Sequence, residues 1–420
     1  MMTQAFYTGL SGLRNMSTGI DIVSDNMSNN STVGYRGYGV EFSNLFEEAV
    51  NQVATSSSVD SSIGVGVKVN ATPMLEKNGE LLLSDRSTDL AIDGDGWFGI
   101  EGGADTIYTR AGSFTFDANN DLVTEDGFHV LGTMANNIQD NTLTEVINTM
   151  SLGNVATQEG LRFPKTLSYP PQPTLNSSFY GNIGISDEFP STISATVIDA
   201  QNNRNELKLT FTKAVDQNQL GTRWDVQAVT QRLDGLVTYD TQNGTVEFDS
   251  SGALVSSSLT SIDNNGTAVN MDLGSEFSGV VSSNVPQTTG SSSSDGLIGG
   301  DLLGYSININ SEVIATFSNG EQSSVGKIAV YHFQNDQGLE RISGSRFQES
   351  SNSGVALFST DGNGNNILGA TVHNFKLESS NYNNTAGLTE LIILQRSYDA
   401  NSKSITTADQ MMQKALDMDA

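Results

Sequence analysis

Two amphipathic stretches at opposite ends of the chain, with no helical pattern between them, restrict its fold more than any other feature. Near the start, Phe6, Leu10, Leu13, Met16, Ile20, Val23 and Met27 recur. From Leu13 onward the spacing alternates three and four, the stripe of an amphipathic helix with near-heptad period. Near the end, Leu391, Leu394, Tyr398, Ile405, Ala408, Met412 and Ala415 repeat the pattern, and Asn401 sits in the stripe as a polar residue able to set register. Residues 388–420 contain neither Gly nor Pro, which makes this segment the firmest helix in the chain. Helices at opposite ends can pair only if the chain returns to its origin.

The interior reads as strands. Segments 89–100, 107–116, 192–198, 206–212 and 325–333 alternate or run apolar between turn signals. Turn dipeptides separate them: Asp93-Gly94, Asp95-Gly96, Asp126-Gly127, Asn243-Gly244, Asn265-Gly266 and Asp361-Gly362. No βαβ rhythm appears, so the expected fold is mostly β with paired terminal helices. Residues 163–173 hold Pro164, Pro170, Pro171 and Pro173, four of the seven prolines, and mark an interdomain crossing. The Ser-rich stretch 285–295 marks the return. The expected organisation is nested. An inner helical domain takes 1–60 and 385–420, a middle β domain 61–160 and 290–384, and an inserted β domain 161–289.

Charge and residue usage exclude several functions. The chain has 420 residues and a formal net charge of −28, which disfavours nucleic acid and anionic membrane surfaces. Cysteine is absent, removing disulfides, thiolate zinc sites and cysteine nucleophiles. His129, His332 and His373 lie far apart in sequence, without ligand spacing. No apolar run reaches the 18 residues that suggest a membrane span, and the first residues lack the pattern of a classical signal peptide.

Candidate chemical motifs are weak. Asp117, Asn119 and Asp121 alternate as in a calcium loop, yet Leu122 and Phe128 stand where such a loop needs Gly and Glu. Asp361, Asn363 and Asn365 are no stronger. Asp93 and Asp95 alternate with Gly and read as a turn rather than a catalytic pair. Trp97 and Trp224 read as core. No cluster argues for an enzyme, and no metal or cofactor is expected. Pattern alone leaves two outcomes for the terminal helices: packing on the protein's own core, or burial by neighbours in an assembly.

The termini and one interior segment resemble a known family. Residues 11–37 (SGLRNMSTGIDIVSDNMSNNSTVGYRG), 89–100 (DLAIDGDGWFGI), 108–132 (YTRAGSFTFDANNDLVTEDGFHVLG) and 390–418 (ELIILQRSYDANSKSITTADQMMQKALDM) are similar to the bacterial flagellar axial proteins, the rod and hook family. Segments 194–215 and 304–350 resemble the larger, hook-type members, since rod-type members lack a large insert. The resemblance implies a structural subunit that polymerises with copies of itself into a flexible tube carrying torque from rod to filament. It further implies contacts with rod, hook-cap and hook–filament junction proteins, and export by the flagellar type III apparatus without a cleaved signal peptide. The stripe residues would then be subunit contacts: Leu10, Leu13, Met16, Ile20, Val23, Met27, Leu391, Leu394, Tyr398, Ile405 and Met412. A rod-type or atypical hook-like subunit shares the termini, and a secreted β-rich adhesin or tail-type protein shares the interior. These remain alternatives at this level.

Overall fold

The computed structural model describes residues 2–47, 63–103, 105–184, 190–217, 220–286, 288 and 290–418. Helix α1 runs Met2–Ser28 and helix α2 runs Asn384–Met418, with strands between them. At 27 and 35 residues they are about 40 and 50 Å long. Helix α2 starts earlier than its Gly-free stretch because Asn383 caps it: its Oδ1 accepts the amides of Thr385 (2.9 Å) and Ala386 (3.2 Å). Gly387 is tolerated in the first turn because it lies against the ring of Tyr382.

Strand β1 (Glu41–Glu47) pairs antiparallel with β2 (Ile63–Ala71). This hairpin backs α1, so the expected division at residue 60 does not hold. Ser11 Oγ donates to the Val67 carbonyl (2.6 Å) and accepts its amide (3.0 Å), and Asn15 Oδ1 accepts the Val69 amide (2.8 Å). Helix side chains thus satisfy backbone groups that an edge strand leaves open. Gly66, at φ +128°, permits the approach, since a Cβ there would lie 2.5 Å from Ser11 Oγ. The segment between the two strands, residues 48–62, lies outside the described residues.

The middle β region packs an eight-stranded sheet and a five-stranded sheet around two apolar clusters. Leu90, Phe98, Phe114, Val130, Phe163, Val313 and Phe317 centre one; Trp97, Tyr108, Tyr331 and Phe347 centre the other. The strand Ser168–Tyr169 pairs with Gly300–Ile307 inside the large sheet. The expected insert edge at 161 therefore falls too early. Leu161, Phe163, Leu167 and Tyr169 alternate into the middle core despite the prolines beside them. The crossing proper lies at about 170–175, where Gln172 bridges Leu297 on the return. The return edge likewise moves from 289 to beyond Ser291–Ser294, which pairs with the insert strand Asn176–Asn182.

The insert has its own core, from Phe179 to Val280, between a five-stranded meander and a second sheet. Trp97 and Trp224 are both buried, as the sequence implied. Asn243-Gly244 makes no turn. It lies within the strand Thr238–Asp249, where a Cβ on Gly244 would lie 2.7 Å from Ser258 Oγ and 2.8 Å from Leu259. The glycine serves close packing.

Candidate functional site

The paired terminal helices are the candidate site. They run antiparallel, with Gly9 facing Ile405, Gly12 facing Asn401 and Gly19 facing Leu394. A Cβ on Gly9 would lie 2.8 Å from Ile405 Cγ1, and one on Gly12 would lie 2.7 Å from the Asn401 amide. At Gly19 the nearest Leu394 methyls would be at 3.2 Å. Among the residues of α1 whose side chains are described, the buried positions are Gly9, Gly12, Gly19, Val23 and Asn26, with Met16 half-buried between them. Their spacing is the heptad rhythm of three and four, but the seam is made largely of small residues that let the two backbones approach.

The expected stripe residues divide into three groups. Val23 and Leu394 are buried in the seam, at 1% and 5% exposure. Leu10, Leu13, Met16, Ile20, Met27, Leu391 and Ile405 are half-buried and border it. Tyr398 and Met412 are exposed. The apolar pattern thus located the seam but placed its centre one helical column away, because glycine carries no hydrophobic signal. Outside the seam α2 exposes Leu388, Ile392, Ile393, Met411, Leu416 and Met418, and α1 exposes Phe6 and Tyr7. Asn401 occupies the predicted polar position, its Nδ2 donating to the Ser397 carbonyl at 2.9 Å.

Where the helices meet the middle domain, side chains from distant parts of the chain converge. Asn26, 1% exposed, donates to the Tyr38 carbonyl (2.6 Å) and accepts its amide (2.9 Å). Arg341 pairs with Asp25 at 3.1 Å and lies over the rings of Tyr35 and Tyr38, 5.4 and 5.5 Å from their centroids. Burial, reinforced by the Asp25 charge, pushes the Tyr35 hydroxyl up to about 12, and its single proton is shared between Asp25 Oδ2 and Asn26 Oδ1, both at 3.1 Å. Asn381 clamps both sides, donating to the Leu75 and Lys77 carbonyls and accepting the Gly37 amide.

Beneath this lies a buried ion cluster. Glu378 pairs with Arg36 at 3.3 Å and with Arg110 at 3.2 Å. Burial pulls the Arg110 guanidinium down to about 10, with Arg36 adding to the effect and Glu378 opposing it. Both arginines also donate to Asn78 Oδ1 and to backbone carbonyls of Lys77, Gly94 and Gly96. An adjoining cleft of about 330 Å³ is lined by Trp97, Asp336 and Gln337. The guanidinium donors nearest it are already engaged by protein groups, which makes the cluster a structural device.

The weaker motifs resolve into turns. Asp117 Oδ1 accepts the amides of Asn119 (2.7 Å) and Asp121 (2.9 Å), and Asp361 does the same for Asn363 and Asn365. Among the described residues, no three acidic or histidine side chains converge as metal ligands. His129 lies between Glu101 and Asp121, His332 hydrogen-bonds the Leu368 carbonyl, and His373 is 3.6 Å from Asp93. Among those residues, no helix is long and apolar enough to cross a membrane.

Comparison with known proteins agrees with this architecture. Residues 91–170 match the family model described as the flagellar hook protein FlgE/F/G D1 domain, and residues 375–418 match the flagellar basal body rod FlgEFG protein C-terminal model. The flagellar hook protein FlgE of Escherichia coli (strain K12) is 28% identical over 421 residues, covering 97% of this chain and 98% of that protein. The corresponding protein of Borreliella burgdorferi is 26% identical over 450 residues, covering 98% and 99%. In fold, the chain resembles the Helicobacter pylori flagellar hook protein FlgE2 with a TM-score of 0.50 and 16% identity, over 71% of this chain and 100% of that one.

With helices from both termini paired, a β body that carries the first family segment, a closing helix that carries most of the second, and a β insert, the chain resembles the flagellar axial proteins of rod and hook. Within that family the chain is most like the flagellar hook proteins, which it matches over nearly its whole length.

Proposed function

We propose that this chain is the structural subunit of a bacterial flagellar hook, polymerising into a curved, flexible tube that carries torque from rod to filament. The observation that carries the reading is full-length similarity to hook proteins in a chain whose helix pair leaves apolar side chains uncovered outside the seam. A contact between unlike surfaces that does not close on itself generates a helical polymer. Helices with apolar flanks on both sides of a paired seam suit such packing. Leu10, Leu13, Ile20, Met27, Tyr398 and Met412 are the expected subunit contacts, with Val23, Leu394 and Ile405 holding the pair together.

On this reading the helices and the β1–β2 hairpin form the inner layer. The middle domain spans about 72–169 and 300–383, and the insert about 174–295 forms the outer layer. Rod, cap and junction proteins would meet the ends of the polymer, and subunits would leave through the flagellar type III apparatus. Trp97, Asp336 and the turn carboxylates serve packing and turns, and no catalytic role is assigned to them.

Negative-stain microscopy of the purified chain should show curved hollow tubes. Ile405→Asp should abolish them while the β domains keep their melting behaviour. Ile405 packs on Gly9, and burial of such a side chain contributes about 1.5–3 kcal/mol. Losing even ~2 kcal/mol from the pair shifts its docked fraction more than tenfold, and every subunit of the polymer carries that loss. Normal tubes from this variant would remove the helix pair from the assembly account.

A further inference from the structure

Strand β3 (Leu81–Leu83) consists of three leucines and pairs with Lys376–Glu378, in a ribbon of two strands. In that register Leu82 shares a face with Leu377, and Leu83 shares the other with Lys376. Leu82 is 54% exposed and Leu83 85%, so apolar surface flanks both faces of a free strand edge. Such an edge is a template for association unless charge, proline or a covering element blunts it.

A second feature sits beside it. Phe375 has φ 55° and the residue is 42% exposed. The chain changes partner at this residue: Thr371–Asn374 pairs with Leu90–Asp93, whereas Lys376–Glu378 pairs with β3. The Phe375 carbonyl accepts the Ser84 amide at 2.8 Å, which places the kink at the end of β3. Glycine adopts this backbone without a steric penalty, while a bulky side chain there is strained. The kink accounts for the positive φ, but not for an aromatic ring held out into solvent.

We infer that the ribbon bearing Leu82, Leu83 and Phe375 is a contact between copies of this chain, covered by a second copy in the polymer. The inference rests on the hook-subunit reading above. Two observations select a second copy as the occupant. Each copy carries a net charge of −28, so copies approach most readily through apolar surface such as this ribbon. The ribbon also leads within six residues into α2, where Leu388 (49%) and Ile392 (50%) are exposed one turn apart, so it is continuous with the apolar surface that the helix pair leaves uncovered and that the hook-subunit reading gives to neighbouring copies.

The absence of cysteine permits a clean test. Leu83→Cys introduces a single thiol, and maleimide labelling is followed in the monomer and in polymer. The expected result is ready labelling of the monomer and labelling slowed about tenfold or more in the polymer, with a benzophenone maleimide at this position cross-linking one copy to another. In parallel, Phe375→Gly should leave the monomer's melting temperature unchanged or raised while the critical concentration for polymerisation rises several-fold. A purely structural role for Phe375 would move stability and assembly in the same direction. Equal labelling in monomer and polymer overturns the inference, as does protection already present in the monomer. Absence of polymer from the unsubstituted chain overturns instead the hook-subunit reading on which the inference stands.

Discussion

Where the helices meet the middle domain, Arg36, Arg110 and Glu378 lie buried together, and a guanidinium covers two tyrosine rings. Where the insert meets the same domain, the chain crosses on two extended segments tied by backbone and asparagine. Gln172 and Leu297 exchange backbone hydrogen bonds at 2.8 and 2.9 Å, Asn202 Oδ1 accepts the Gly299 amide at 2.7 Å, and Asn319 Nδ2 donates to the Ile298 carbonyl at 2.9 Å. Among the described residues, no ion pair crosses this second joint. The first joint fixes the orientation of both helix ends through many groups. The second leaves the insert attached by its two chain crossings and a few hydrogen bonds, each contributing only about 0.5–1.5 kcal/mol. On the hook-subunit reading proposed above, this contrast in chemistry would put stiffness at the inner joint and compliance at the outer one.

The largest effect that separates the joints is expected from Glu378→Ala. The substitution leaves two guanidinium groups buried without their carboxylate, and breaking a buried pair from one side costs about 3–5 kcal/mol. For a domain of this size that corresponds to a fall of roughly 6–20 degrees in melting temperature. Calorimetry should show the loss in the middle-domain transition while the insert transition stays in place. A variant that melts within a degree or two of the unsubstituted chain would mean that the cluster does not hold the inner joint.

Legibility from sequence followed the range of the interactions. The terminal helices and the principal strands were readable because their signals are local: period 3.6 with a cap, period 2 with turn residues. The helix seam was only half readable. Leu394 and Val23 carry a hydrophobic signal, whereas Gly9, Gly12 and Gly19 acquire meaning only from the side chains opposite them. The insert edges were misplaced for a related reason. Pro164 and Pro170 signal a linker, yet Phe163, Leu167 and Tyr169 between and beside them are core residues. The inner joint was not readable at all, since Arg36, Arg110 and Glu378 are ordinary charged residues until the fold brings three distant segments together. Asn381 and Asn26 are equally silent, because a polar clamp is defined by the carbonyls and amides it meets.

A smaller effect sharpens the outer side of the comparison. Asp199 is buried in the insert turn that presents Asn202 to the joint. Burial works against its charge, but the amides of Asn265, Asn203 and Asn205 outweigh it and hold the carboxyl below its usual range. A carboxyl depressed in the fold contributes stability that is fully present above its unfolded value, about 3.9, and is lost as pH falls through the lower folded value. The insert should therefore melt at a nearly constant temperature from neutral pH to about 5 and lose stability below about 4. Asp199→Asn should make that acid loss shallower. Asp199→Ala should cost the insert about 1–3 kcal/mol at neutral pH by leaving buried amides unpaired, with the middle-domain transition unmoved. A shared shift of both transitions would show that the outer joint couples the domains more tightly than its contacts suggest.

The smallest expected effect tests the outer joint itself. Asn202 has φ 68°, a backbone that glycine adopts freely, so Asn202→Gly removes the side-chain hydrogen bond to Gly299 without straining the turn. The turn keeps its other ties: the Asp199 carbonyl still accepts the residue-202 amide at 3.1 Å, and Asp199 Oδ1 still accepts the Gln201 and Asn203 amides. Only a link across the joint is lost, worth about 0.5–1.5 kcal/mol. The insert and middle-domain melting temperatures should each fall by no more than a few degrees. The Gly299 amide should exchange with solvent several-fold to about tenfold faster, as a loss of that size implies. The distance distribution between spin labels placed on the insert and on the middle domain, through cysteines introduced into this cysteine-free chain, should broaden. Arg341→Lys at the inner joint is the control. It keeps a charge near Asp25 but loses the planar stacking on Tyr35 and Tyr38, and the Asn26 and Asn381 clamps remain. Its helix-to-middle-domain distances should stay narrow. Equal broadening in the two variants would show that the joints share one compliance and that the contrast in their chemistry has no mechanical consequence.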